Sequence, residues 1–298
     1  MGYFPQVAAL PQRFFGPITK LQWWKAGLVL FLVAWLYSSI LFHLASQWWN
    51  DANFSHGFFV PIFSYFVLWR KCSDLANIKP QPSAWGFGIL VISLCLLVTG
   101  VLGAELFLSR ISLLLLVAGL TIFFRGWRFF RAVLFPWAFL FLMIPIPAII
   151  FNHITFPLQI FASKIAATLL PLMGVPVLRE GNIINLASMP LEVAEACSGI
   201  RSLLSLMTLA IIYGYLTETR NWVRILLALT SIPIAVIANS LRIVGTGMLA
   251  EYWSPTKAEG FFHSFSGWLI FLVSLMVLTL FHSLVGRRAC KEEPPNGN

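Results

Sequence analysis

Long apolar runs separated by short polar clusters dominate the chain, and their length predicts helices that cross a membrane. Eight blocks stand out, at residues 26–45, 54–69, 85–104, 106–124, 133–151, 200–216, 224–241 and 265–285. About 20 apolar residues in a helix cross a bilayer core, so blocks of this size read as spans with ends soft by a few residues. The predicted fold class is therefore all-α, a polytopic transmembrane helical bundle of about 8 spans. A ninth apolar stretch, residues 154–170, carries Pro157 near its start and Lys164 near its middle, and it reads as an interfacial or re-entrant helix. After it, Val177, Arg179, Gly181-Asn182, Ile183 and Ile184 predict a small hairpin turning at Glu180-Gly181-Asn182.

Composition agrees with the pattern. Hydrophobic residues make up 59% of the 298 and charged residues 10%, where soluble domains carry about 25% charged. The net charge of +9 does not form a nucleic-acid-binding stripe, because the basic residues fall in short groups between apolar runs. Those groups are Arg13, Lys20 and Lys25; Arg70, Lys71 and Lys79; Arg125, Arg128 and Arg131; Arg220 and Arg224; and Arg287, Arg288 and Lys291. With both termini cytoplasmic, an even number of spans separates each group from the next, as the positive-inside rule requires. Asp51, Glu105, Glu180, Glu192, Glu195, Glu251 and Glu259 then fall on the outer side. Counting residues 154–170 as a span would reverse the last two basic groups, which is why that stretch is read as interfacial. The expected organisation is a cytoplasmic segment over residues 1–25, one multipass membrane domain over 26–285 and a cytoplasmic tail over 286–298. Residues 23–45 read as a first transmembrane helix that also targets the chain.

Candidate chemistry lies in the few polar residues near span ends. The four cysteines, Cys72, Cys95, Cys197 and Cys290, form no CxxC pair and no metal spacing, so neither a metal nor a cofactor is expected. Cys197 sits in the run Glu195-Ala-Cys-Ser-Gly-Ile-Arg201 at the head of a span. A helix N-terminus favours a thiolate, and Arg201 follows one turn later. Ser198 and Gly199 are small enough to admit a polypeptide. Arg242, near the outer end of the next span, follows Asn239 and Ser240, and His263 stands just before the last span. Together these supply a nucleophile, a cation for a developing oxyanion and a group that titrates near neutrality. Bland alternatives exist for each: a packed thiol, a snorkelling arginine and an interfacial histidine. Glu195, Asn239, Arg201 and His56 are supporting candidates. Glu192 is a weaker candidate to orient a base, His153 has no adjacent chemistry, and Glu105 with Arg110 reads as a structural pair.

These motifs resemble the exosortase/archaeosortase family of membrane cysteine transpeptidases. Asn53-Phe-Ser-His-Gly-Phe through Trp69 is similar to that family's early block, and Glu195-Ala-Cys-Ser-Gly-Ile-Arg-Ser-Leu203 to its nucleophile motif. Asn239-Ser-Leu-Arg-Ile243 matches its arginine motif and His263-Ser-Phe-Ser-Gly267 its histidine motif. The resemblance implies a catalytic trio of Cys197, Arg242 and His263 on the periplasmic side of a bacterial inner membrane. It also implies substrates that are secreted proteins with a C-terminal sorting signal: a short motif, commonly Pro-Glu-Pro, then a transmembrane helix and a basic tail. Cleavage through a thioester, in association with exopolysaccharide production, is the expected function. The partners expected are those proteins and membrane lipid, with no nucleic acid. The competing reading is transport or assembly of a lipid-linked glycan in exopolysaccharide export, with the arginines holding phosphate, or a non-enzymatic assembly partner.

Overall fold

A computed structural model of the protein describes residues 20–193, 199–253 and 261–291, with residues 20–23, 26, 261–264 and 286–291 described by backbone only. The described residues are helical apart from one small sheet and the turns that join the elements, as the apolar pattern requires. The chain divides into two compact units, Met1–Ile146 and Pro147–Asn298.

In the first unit, α1 (Lys20–Leu36) and α2 (Ser38–Asn50) replace the single span expected over 26–45. They bend by 63° at Tyr37. Tyr37 is fully buried and its hydroxyl lies 3.0 Å from Ser112 Oγ, so the bend is pinned to α6. A 3₁₀ turn (Ser55–Phe58) and α3 (Phe59–Arg70) occupy the next expected span. At 12 residues, about 18 Å, α3 alone is too short to cross. After the short α4 (Cys72–Ala76) come α5 (Trp85–Leu102) and α6 (Leu106–Arg125), a close helical pair. Gly86 lies against the backbone of Phe123 and Gly119 against Leu90, the close approach that small residues permit between membrane helices. Glu105 caps α6, accepting from Phe107 N–H at 3.3 Å, while Arg110 is buried on the same helix and makes no ion pair with it, so the structural pair expected from the sequence is not formed. Then α7 (Trp127–Ala132) and α8 (Leu134–Phe139) lead into a 3₁₀ turn over Leu140–Met143. The span expected over 133–151 ends there, because Pro145 and Pro147 force the residues before them out of helical backbone.

The second unit opens with α9 (Ala148–Leu172), a 25-residue helix with Pro157 and Pro171 inside it. By length and hydropathy alone α9 is a candidate span, longer than the stretch 154–170 read from the sequence. Lys164 is exposed on its surface, where a long aliphatic stem can carry the ammonium away from the apolar layer. Among the described residues six helices are long and apolar enough to cross a membrane: α5, α6, α9, α10 (Ile200–Thr217), α11 (Asn221–Tyr252) and α12 (Phe261–Lys291). Counting α1 and α2 as one bent span gives seven, against the eight expected. The outward surfaces are apolar: only 11% of the α12 span window is buried within the protein.

The sheet lies between α9 and α10 in the chain. β1 (Val177–Glu180) and β2 (Ile183–Leu186) form the expected hairpin, and β3 (Pro190–Glu192) adds a third antiparallel strand in the order β1-β2-β3. Gly181 takes a φ of +65° at the first central turn position, where glycine is the residue of choice. One face of the sheet is apolar. Ile184, Leu186 and Val193 are buried in a core with Ala162, Ala166 and Leu170 of α9 and Ile243, Val244 and Ala250 of α11. Three polar ties add to it: Ser163 Oγ donates to Gly181 O (3.0 Å), Tyr252 Oη to Met173 O (3.1 Å) and Ser188 N–H to Glu251 Oε2 (3.3 Å).

Candidate active site

The helices α10, α11 and α12 form an antiparallel set, and three glycines show how they register. A Cβ on Gly199 would stand 2.8 Å from Asn239 Cγ, one on Gly267 3.3 Å from Arg242 Nη1, and one on Gly214 3.4 Å from Leu227 Cδ1. Thus the N-terminus of α10, the middle of α11 and the second turn of α12 meet at one end. At the other end Tyr213 Oη and His282 Nδ1 are 2.9 Å apart, His282 Nε2 lies 3.5 Å from Glu218 Oε2, and Arg224 Nε donates to Glu218 O at 2.8 Å. Fifteen residues of α10 or α12 separate the two ends, about 22 Å of helix. Leu206, Ala210, Val223, Leu227, Ala235 and Leu278 fill the space between them.

The first end holds the sequence-predicted residues that the structure brings together. Asn239 and Arg242 are spaced i, i+3 on α11 and so share a face. Both are buried, at 2% and 9% exposure, which makes the guanidinium an interior group rather than one snorkelling into water. Thr246, one turn further, donates to Arg242 O at 3.0 Å. Arg242, Ile243 and Thr246 line a small crevice whose other wall is the end of β3 and the residue after it, through Leu191, Glu192 and Val193. The third strand therefore stands beside Arg242, and Glu192 gains a place near it. Gly199 caps α10 with a φ of +79°, a left-handed conformation open to glycine, and packs directly on Asn239.

The remaining candidates are placed differently. Cys197 and Glu195 lie outside the described residues. Position 263 falls in the first turn of α12, four residues before Gly267 and so on nearly the same helical face. Arg201 is exposed on the first turn of α10. His56 belongs to the first unit, where it is buried and its Nε2 lies 3.2 Å from Leu142 O. Beside it, Gly57 packs on the indole of Trp48, whose Nε1–H donates to Met143 O at 2.8 Å. The early Asn-Phe-Ser-His-Gly block thus ties α2 to the turn after α8. His153 is exposed and lines an open apolar groove on α9 with Ile149, Asn152, Phe156 and Pro157. Among the described residues, no group of three His, Cys, Asp or Glu side chains is placed to hold a metal ion.

Comparison with known proteins adds one finding. A family model described as transmembrane exosortase matches residues 48–280, more than three quarters of the chain, and includes every motif named above. Neither the curated proteins nor the solved structures contain a match.

Proposed function

Since the chain belongs to the transmembrane exosortase family and is a multi-pass membrane protein, we propose that it is a cysteine peptidase or transpeptidase acting on the C-terminal sorting signals of secreted proteins. The observation that carries this reading is the meeting of three motifs. Gly199 of the Cys-Ser-Gly run rests on Asn239, and Gly267 of the His-Ser-Phe-Ser-Gly run rests on Arg242. Covalent geometry keeps the Cα of Cys197 within about 7 Å of that of Gly199. In this reading the nucleophile, two residues before Gly199 in the sequence, acts beside the Asn239–Arg242 face and the start of α10, whose free N–H groups would favour a thiolate.

In the proposed reaction, the substrate's hydrophobic helix enters from the lipid and its signal reaches the polar end of the bundle. The Cys197 thiolate attacks the scissile carbonyl, and the negative oxygen of the tetrahedral intermediate is stabilised by Arg242. His263 gives its proton to the leaving amine, the C–N bond breaks, and a thioester remains on Cys197. The same histidine, now neutral, takes a proton from the acceptor, water or a surface amine, which displaces the thiol. The acidic residues Glu192 and Glu251 flank this end and Arg220 and Arg224 the other; with α9 taken as an outer-face helix that does not cross, this supports an orientation with the site outside an inner membrane and the termini in the cytoplasm. The apolar filling between the two ends favours a one-sided site over a conduit for a glycan.

The test is cleavage of a reporter carrying a host-derived signal of motif, apolar helix and basic tail. Cys197→Ala and Cys197→Ser should each insert normally and leave the reporter uncut, because a serine hydroxyl is a weak nucleophile at its free pKa. Normal cleavage by the alanine variant would eliminate covalent catalysis by Cys197.

A further inference from the structure

β3 is an edge strand: β2 pairs with one side of it, and among the described residues no strand pairs with the other. In an antiparallel ladder the residues alternate between turning their backbone groups toward the partner strand and away from it. Leu186 N–H donates to Met189 O and Val193 N–H to Asn182 O, with Ile184 opposite Leu191 between them. Residues 189, 191 and 193 therefore face β2, and Pro190 and Glu192 turn their backbone groups outward. Pro190 has no N–H, so the edge offers its carbonyl together with the N–H and C=O of Glu192. Both residues are exposed. Cys197 lies five residues beyond Glu192, and the crevice containing Arg242 lies along the same strand.

We propose that the free edge of β3 is the docking strand for the extended part of the substrate that carries the scissile bond. The inference rests on the reading of the chain as a signal-cleaving enzyme. A peptide bond presented to a thiolate must be stretched and solvent-free on one side, and strand addition achieves this while using main-chain groups common to every sequence. One substrate residue, opposite Glu192, accepts from the Glu192 N–H and donates its own N–H to the Glu192 carbonyl. Its neighbours turn their amides away, so a proline on either side of it is tolerated. Cys197 follows Glu192 by only five residues in the sequence, so the paired residue and the cleaved bond lie near one another along the substrate. Recognition at this edge is thus by backbone and register, leaving side-chain selectivity to the crevice.

The experiment compares Glu192→Pro with Glu192→Ala in the full-length enzyme, using the same signal reporter. Both remove the carboxylate, but only proline removes the outward N–H, which takes no part in the β2 ladder. KM for the proline variant should exceed that of the alanine variant by about five- to tenfold, the effect of one hydrogen bond, with kcat within about twofold. A second measurement uses the unaltered enzyme and synthetic signal peptides with single N-methylated residues before the cleavage site. One position should raise KM by a similar factor. This arm stands even if Glu192→Pro fails to fold. Equal KM across all the N-methylated peptides would overturn the edge inference while leaving the cleavage activity intact. Failure of the unaltered enzyme to cut any signal would overturn both.

Discussion

Gly199→Ala gives the sharpest test of how the nucleophile segment is held. Two costs add at this position. An alanine at φ +79° pays the left-handed penalty of about 1–2 kcal/mol. Its methyl would also stand 2.8 Å from Asn239 Cγ and 2.9 Å from Asn239 Cβ, so the α10–α11 contact must open, a further cost of about 1–3 kcal/mol. Gly181→Ala is the internal control. Its φ is +65°, but nothing lies within 4 Å of the added carbon, so it carries the conformational cost without the clash. Thermal unfolding in detergent should therefore place Gly199→Ala below Gly181→Ala, by about 1–3 kcal/mol at the midpoint. Adding Asn239→Gly should return much of that difference, since it removes both crowding atoms, whereas Asn239→Ala leaves the Cβ in place. A double-mutant cycle isolates the contact. Cleavage should suffer more than stability, because a displacement of about 1 Å in a reacting group costs on the order of 100-fold in rate. Equal stability for the two glycine variants, with reporter cleavage at the normal rate, would refute the idea that Gly199 and Asn239 hold the thiol.

Arg242→Lys keeps the charge but loses the planar fork of donors, and turnover of the signal reporter should fall by about 100- to 1000-fold. A rate near normal would make Arg242 structural. At the opposite end, Glu218 has its carboxyl held below the ordinary 4.5, first by the Arg220 N–H at 3.2 Å and then by Thr219 N–H and His282, against the opposing effect of burial. A depressed carboxyl contributes stability that is complete above pH 4.5 and is lost as pH falls through its folded-state value, so acid should loosen the α10–α11 turn. Glu218→Gln should flatten the unfolding midpoint between pH 6 and the acid limit, and an unchanged acid slope would count against the assignment. Sidedness is checked with single cysteines at Glu180 and Thr219 in intact cells. A membrane-impermeant thiol reagent should label the first and not the second, and the reverse pattern would put the sheet in the cytoplasm.

The apolar runs made the all-α membrane fold legible, but not where the helices break. Tyr37 bends the first span because its hydroxyl finds Ser112, 75 residues away, and no local pattern encodes such a partner. The break after Met143 was readable in principle from Pro145 and Pro147, which the run of apolar residues concealed. Residues 154–170 lie in a longer helix than their own pattern indicated, Ala148–Leu172, which by length and hydropathy is a candidate span. One lysine and one proline count heavily against a span in a sliding window, yet a long side chain on an exposed face and a helix continuous through proline absorb both. The hairpin turn was announced by Gly181-Asn182, whereas β3 is three residues long and begins with proline, too little for a pattern of alternation.

The site shows the same division between local and distant information. Asn239 and Arg242 were readable as one face because i, i+3 spacing is local. What the sequence concealed is that two motifs end in glycine for a shared reason. Gly199 and Gly267 come from different helices, and each leaves room for a polar side chain of α11. A buried guanidinium is costly unless dipoles and hydrogen bonds replace its water. Bare backbone is the closest-packing surface that brings such dipoles to it, which any larger side chain at position 267 would hold away. The position of the arginine along α11 completes the argument. Beyond Arg242 the helix continues for ten residues, about 15 Å, and this extension is walled by the sheet and the end of α9. Arg242 thus lies below a protein wall instead of at a bare lipid surface. In the proposed reaction, a charge developing on a substrate oxygen would meet this fixed cation away from bulk water, where the same pair of charges interacts several times more strongly.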